Sequence, residues 1–393
     1  MIFAKQNGVF SAGVFSAGLF LLGCLALVAC NQEAQVKVDF GRDAMAAMQN
    51  IETLNGDLAR GDDRWQVVVC RVPQDTSDPI YEPVVDRLGI DAAELVVKLG
   101  PVADYFERWS SGDYSPTFVE LGEVSISAQE TSNDCVEKAL NASSVDAQGV
   151  LVVADAQHTA TSVGGWGRPG TPCSSDCSAK QTRRVVYLGA SDFMPYWRDR
   201  PPLDLVEHEI GHALDWPHSS TSTANFGDGV YDSEVDVMSD SAASRDIFEN
   251  SRDAPGPLAL NMYLSGWFEE SQATFVDHAT RTFELVATNS RSAVEGTRLA
   301  IIGESATVLW TVELIEAMGD NKHLLHDRVV VHRIELVGIS GFERRQTVVA
   351  DDLLAGDSWS GESVTLTVEQ ISKTDGGTSA EILVENFGST TDS

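Results

Sequence analysis

Positive charge is scarce in this chain of 393 residues: 27 Lys and Arg stand against 59 Asp and Glu, for a formal net charge of −32. Affinity for a phosphate backbone comes from counterion release by clustered cations, so this balance argues against nucleic acid as a partner. Acidity of this size serves solubility equally well, and calcium is the charge-based ligand it leaves open. The six cysteines lack paired CxxC spacings, which argues against a cysteine-rich zinc knuckle. Internal repeats are missing, and low complexity is confined to the Ser/Thr-rich ends. Apolar residues make up 43% and charged residues 22%, an ordinary globular composition that excludes general disorder. The length exceeds what one hydrophobic core usually serves, so two domains are expected.

One charge-free apolar run is long, Gly8 to Ala29, with Lys5 before it. It could span a bilayer as an uncleaved anchor. It stops, however, at Leu27-Val28-Ala29-Cys30, and polar Asn31-Gln32-Glu33 follows at once. That ending resembles the lipobox of bacterial lipoproteins, whose cysteine thiol takes a diacylglyceryl group before cleavage. The resemblance implies that residues 1–29 are a signal peptide and that Cys30 is lipidated. The protein would then be exported to the cell envelope and held by lipid at the outer membrane or cell surface. With Cys24 in the signal, Cys70, Cys135, Cys173 and Cys177 remain, an even number that suggests two disulfides among three connectivities. Cys173 and Cys177 share a Gly/Pro/Ser-rich loop and could close a small ring, leaving Cys70 for Cys135.

Residues 30–62 are polar apart from Ala44 to Met48 and read as a tether or short helix. Trp65 to Cys70 reads as a buried strand ended by Pro73, and Asp91 to Trp109 as a helix that Gly100-Pro101 could kink or divide. Thr117–Ile126, Gly149–Ala154 and Arg184–Leu188 have strand character, and Asn133–Leu140 helical character. Beyond about residue 270 the texture changes to β-type runs at Thr282–Ala287, Val308–Leu314, Arg328–Val337, Val364–Val368 and Ala380–Val384, separated by turn residues. The expected fold class is α+β, with a mixed α/β domain over 63–270 and an all-β sandwich over 271–393.

Chemistry concentrates in His208-Glu209-Ile210-Gly211-His212-Ala213-Leu214-Asp215-Trp216-Pro217-His218. His208 and His212 are four apart, which on a helix puts both imidazoles on one face within reach of one Zn²⁺. Pro217 stops the helix, so the chain can turn and bring His218 in as a third ligand. Three neutral imidazoles leave the ion a free position and its full charge, which lowers the pKa of bound water to about 7. Glu209 is poorly placed as a ligand but well placed to hold that water.

This stretch resembles the metzincin metallopeptidases, whose pattern is H-E-x-x-H-x-x-G-x-x-H followed by a Met-turn. Tyr231 to Ser239, with its Asp236-Val237-Met238, looks like that turn in the gametolysin-like branch, and Asn261-Met262-Tyr263-Leu264-Ser265-Gly266-Trp267 further on also resembles that branch, where it closes the catalytic domain. The resemblance covers about 65–270 and extends weakly through Thr311-Val312-Glu313 and Val330-Val331-His332-Arg333. It implies a zincin-like domain with a mixed sheet and an active-site helix. It also implies zinc at His208, His212 and His218, Glu209 as general base, and Met238 as a floor beneath the metal. The activity implied is zinc-dependent hydrolysis of peptide bonds in a protein or peptide substrate, by a protein expected to be a monomer.

Two positions depart from the pattern. Asp215 stands where relatives carry Gly, and Asp tolerates a left-handed conformation better than most residues. Asp240 stands where some metzincins place a Tyr that stabilises the transition state, which leaves Tyr231 as the candidate donor. These departures support a different class of function, a catalytically inactive binding or adhesion module on a metzincin scaffold; the intact Glu209 opposes it. Cys70-Arg71-Val72-Pro73 faintly resembles a cysteine switch, though a strand cysteine favours a disulfide. His158, His278, His323, His326 and His332 lack metal spacing and are expected on surfaces or strand edges. Asp228, Asp232 and Asp236 repeat every four residues, as a calcium loop or, more simply, a solvated acidic loop.

Overall fold

A computed structural model describes residues 40–54, 58–159, 164–170, 182–221, 231–276, 280–289, 296–337, 343–362, 364–375 and 377–386. The unbroken apolar run Val67-Val68-Val69-Cys70 is what a strand covered on both faces requires. It lies in β1 (Gly61–Arg71), which pairs in parallel with β2 (Tyr114–Ser125) and β3 (Gly149–Ala154). β5 (Arg184–Leu188) continues the parallel set, and β4 (Gly165–Arg168) closes one edge antiparallel, giving the order β2-β1-β3-β5-β4.

Strand alternation divides the side chains between two layers. Trp65, Val67, Val69, Leu151 and Val153 face helix α2 (Ala92–Trp109) through its Leu95, Leu99, Val102 and Phe106. Asp91 and Glu94 form a capping box at the start of α2, and the helix runs through Pro101 undivided. Val68, Cys70, Val150 and Val152 face the opposite layer, which includes α3 (Ser132–Ala142). A disulfide joins Cys70 to Cys135 there, as expected, with Cα atoms 5.8 Å apart. It excludes the cysteine-switch alternative, because Cys70 is bonded. Cys173 and Cys177 lie outside the described residues.

The C-terminal part is two sheets packed face to face. One runs β6-β12-β11-β10-β9-β7, with β6 (Ser219–Thr221), β7 (Ala273–Val276), β9 (Leu299–Ser305), β10 (Val308–Ile315), β11 (Arg328–Val337) and β12 (Glu343–Leu353). The other runs β13-β14-β15-β8, with β8 (Thr280–Val286), β13 (Ser358–Ser360), β14 (Val364–Thr374) and β15 (Gly377–Asn386). Phe283, Leu285, Ile302, Val312, Val331, Leu366 and Ile382 fill the space between them. The outer face of the six-stranded sheet is buried too: Leu299, Ile301, Leu309, Ile334 and Leu336 join the core of the N-terminal part.

Of the two readings of the segment before β1, tether or short helix, residues 40–54 take the helix. They form helix α1 (Phe40–Leu54), whose Ala44, Ala47, Met48 and Ile51 recur at helical spacing and are buried in that same core, with the helix lying along β9 and β7. The whole is a mixed α+β structure with several sheets and few helices. Among the described residues no helix is long and apolar enough to cross a membrane. The signal, Cys30 and the rest of residues 1–39 lie outside the described residues.

Candidate metal centre

Helix α4 (Asp204–Ala213) carries His208, Glu209 and His212 and is buried over most of its length. The histidines stand one turn apart with ring centroids 4.8 Å from each other. After His212 the chain must reverse, and it does so by a Schellman ending. Leu214 is the C-cap. The N–H of Asp215 donates to His212 O and that of Trp216 to Gly211 O, each at 3.0 Å. Asp215 has φ +69°, the left-handed conformation expected at the glycine position of the H-E-x-x-H-x-x-G-x-x-H pattern. The reversal delivers His218, whose Nε2 lies 2.8 Å from His212 Nε2 and 3.2 Å from His208 Nε2.

Asp215→Gly is therefore expected to keep the site and to stabilise the fold slightly, by at most about 1 kcal/mol. Asp215→Val, β-branched at positive φ, is expected to destabilise the turn and lower metal affinity. Thermal unfolding and metal titration of the two variants check this; equal behaviour would contradict it.

Backbone acceptors fix the imidazole tautomers. His208 Nδ1 lies 2.7 Å from Val237 O, and His212 Nδ1 lies 2.8 Å from Trp216 O. A carbonyl only accepts, so each Nδ1 carries the proton and each Nε2 presents a bare lone pair to His218. Burial, then the neighbouring imidazoles, holds His208 well below its ordinary pKa, and the same causes bring His212 down to about 4. Burial also lowers His218. Neutral rings with converging lone pairs repel one another unless a cation sits among them. Tetrahedral zinc with Zn–N bonds of about 2.0–2.1 Å would place its nitrogens about 3.3 Å apart. The His208–His218 spacing of 3.2 Å is close to that and the His212–His218 spacing of 2.8 Å is shorter, and these three residues are the one such group among the described residues that could hold a metal ion.

Met238, the residue expected beneath the site, is fully buried. A Cβ on Gly211 would lie 2.4 Å from Met238 Sδ and 2.9 Å from the Trp216 ring, so only glycine lets the helix seat on this sulfur. Asp236 shapes the turn that carries Met238: its carboxylate accepts from Met238 N at 3.1 Å and from Ser219 Oγ at 2.6 Å.

Glu209 is 4% exposed, and burial pushes its carboxyl up to about 8 against a hydrogen bond from the Gly167 N–H of β4. Among the described residues its Oε2 is buried without a partner. Edge strand β4 lies flat on α4 at this point. A Cβ on Gly167 would meet Glu209 O at 1.9 Å and the His212 side chain at 2.8 Å. Gly167→Ala should force strand and helix apart, costing about 1–3 kcal/mol of stability. It should also remove the hydrogen bond that orients Glu209. Denaturant unfolding measures the first effect; a change below a few tenths of a kcal/mol would show that the contact is slack.

Tyr231 arrives from the segment before Met238. Its hydroxyl is 3.4 Å from His218 Nε2, its ring packs edge-on against His218 and His208, and it is half-exposed. His208, His212, His218 and Tyr231 thus meet in one place, with Glu209 next to His208 on α4.

Other expectations change. His323 and His332 are 3% and 0% exposed rather than on the surface. β11 is covered on both faces, so His332 shares the outer face of the sheet with Ile334, the face that the N-terminal part covers, and looks across at Glu313, 3.7 Å away. His158 packs against the Tyr81 and Tyr187 rings, and His326 pairs with Asp352 at 2.6 Å. His278 and Asp228 lie outside the described residues. Asp232 and Asp236 do not converge on a common point: Asp232 accepts from Thr221 N and Oγ1, and Asp236 from Ser219 and Met238. They fasten β6 to the Met238 turn. Sequence reasoning missed Gly167 and the carbonyls of Trp216 and Val237. Gly165-Trp166-Gly167 was the available cue for a close approach, whereas backbone carbonyls carry no sequence signal.

No family model matches the chain, and no curated protein matches it.

Proposed function

We propose that this protein is a zinc-dependent metalloendopeptidase of the metzincin type. The observation that carries the reading is the commitment of two Nδ1 protons to carbonyls, which turns the Nε2 lone pairs of His208 and His212 toward the point that His218 Nε2 also reaches, near a buried carboxylate with one oxygen unpartnered among the described residues. Three neutral imidazoles with no fourth protein ligand among the described residues suit a catalytic zinc better than a structural one. Bound there, zinc would supply Lewis acidity that activates water and polarises a scissile carbonyl.

The remaining work falls to the chain. Glu209 takes a proton from the attacking water on its carboxylate and passes it to the leaving amine. Its raised pKa without metal is a consequence of burial, and a divalent cation nearby would draw it back toward the ionised form. The Tyr231 hydroxyl, within reach of the metal ligands, donates to the developing oxyanion. β4, paired on one side only among the described strands, offers backbone groups along which an extended peptide can lie.

Digestion of an unbiased peptide library by the purified protein tests this reading. Cleavage that stops on chelation and returns with added zinc is the expected result. Zinc binding without turnover would point to the binding-module alternative instead. The protein is further proposed to be lipid-anchored in the envelope through Cys30. Cys30→Ser should release it from the membrane fraction; retention with the N-terminal segment intact would favour an uncleaved anchor.

A further inference from the structure

The turn that carries His218 is short and irregular, yet the three carbonyls just before the third histidine, those of Asp215, Trp216 and Pro217, are all engaged. Trp216 O accepts from His212 Nδ1 at 2.8 Å. The carbonyls on either side are taken by one strand of the C-terminal sandwich. Arg344 Nη2 donates to Asp215 O at 3.3 Å, and Gln346 Nε2 to Pro217 O at 3.4 Å. Arg344 and Gln346 are two apart on β12, so their side chains share a face, and both reach the turn from it. Arg344 is anchored in turn, donating to the fully buried Asn261 Oδ1 at 3.0 Å. Gln346 is itself fully buried. From Ser219 onward β12 holds the chain directly, by parallel pairing in the register Gln346↔Ser219, Thr347↔Ser220 and Val348↔Thr221.

We infer that β12 is the outer half of the metal site, with Arg344 and Gln346 as positioning residues that set where His218 stands. The inference rests on the reading of the three histidines as metal ligands. α4 alone supplies two imidazoles from a rigid element. The third comes from a turn with no regular structure of its own, and a ligand on such a segment binds well only if its surroundings hold it. Here the surroundings are a strand more than a hundred residues downstream. This gives the sandwich a role beyond an appended domain: its six-stranded sheet takes in β6 as an edge strand and so fixes the third ligand.

The test uses the full-length protein and reads zinc affinity by competition with a chromogenic chelator, so it does not depend on peptide turnover. Gln346→Met keeps the volume and removes the donor; Arg344→Met removes the clamp, and Arg344→Lys restores one donor. Loss of groups that orient metal ligands typically lowers affinity about 10–100-fold. Each Met variant should weaken zinc by about tenfold and the pair by about a hundredfold, with Arg344→Lys recovering part of the loss. The visible spectrum of the cobalt-loaded variants should shift as well, because His218 moves. Leu366→Ala, in the far sheet, serves as the control for general destabilisation: its thermal midpoint should fall while its zinc affinity stays within about twofold of wild type. Both Met variants binding zinc like wild type would overturn the inference. Wild-type protein whose zinc affinity does not depend on His218 would overturn the metal-site reading itself, and this inference with it.

Discussion

Glu209→Gln is expected to leave one zinc per chain and an unchanged fold, and to lower peptide turnover by about 10²–10⁴-fold. The amide has the same shape and can still accept the Gly167 N–H through its carbonyl oxygen. It cannot take a proton from water at neutral pH, so the acid–base cycle has no carrier. The 4% exposure of Glu209 leaves little room for bulk solvent to substitute. Turnover and zinc content must be measured on the same preparation, because loss of both would indicate a damaged site rather than a missing base. Turnover above a few per cent of wild type would contradict the assignment.

His218→Ala is expected to remove both zinc and activity. Two imidazoles from one helix rarely hold zinc alone, and the vacated space would open the site toward the half-exposed Tyr231. The fold should survive, since His218 follows the α4 ending rather than forming it and Ser219 to Thr221 stay paired with β12. Tyr231→Phe gives the contrasting result: zinc retained, and kcat reduced with little change in KM if the hydroxyl acts only on the oxyanion. Unchanged zinc stoichiometry in His218→Ala would require a different third ligand.

The centre was readable in the sequence because its information is local. A four-residue spacing encodes a helix face, Pro217 encodes the stop, and Asp215 in a glycine position encodes the left-handed turn that its φ of +69° displays. The central strands were readable for a similar reason: Val67 to Cys70 is apolar without interruption because both faces are covered. β12 was not, since Glu343-Arg344-Arg345-Gln346 reads as a polar connection. Its partners are carbonyls of Asp215 and Pro217 and the edge of β6, none of which any pattern near residue 344 announces. β4 was missed because two glycines in four residues lower strand propensity, although those glycines are what lets it lie on α4. His332 was misread by residue type. Polarity suggested a surface, while the register of β11 turns every second side chain into a core that the N-terminal part covers.

The central claim is that three Nε2 atoms on α4 and the following turn hold one zinc ion. X-ray absorption at the zinc edge on the zinc-loaded protein, alongside His218→Ala, tests it most directly. The account predicts a single ion with three imidazole nitrogens at about 2.0–2.1 Å and a light-atom fourth ligand in the wild type, and no ordered zinc in the variant. A sulfur scatterer in the first shell, or an unaltered spectrum in His218→Ala, would contradict it.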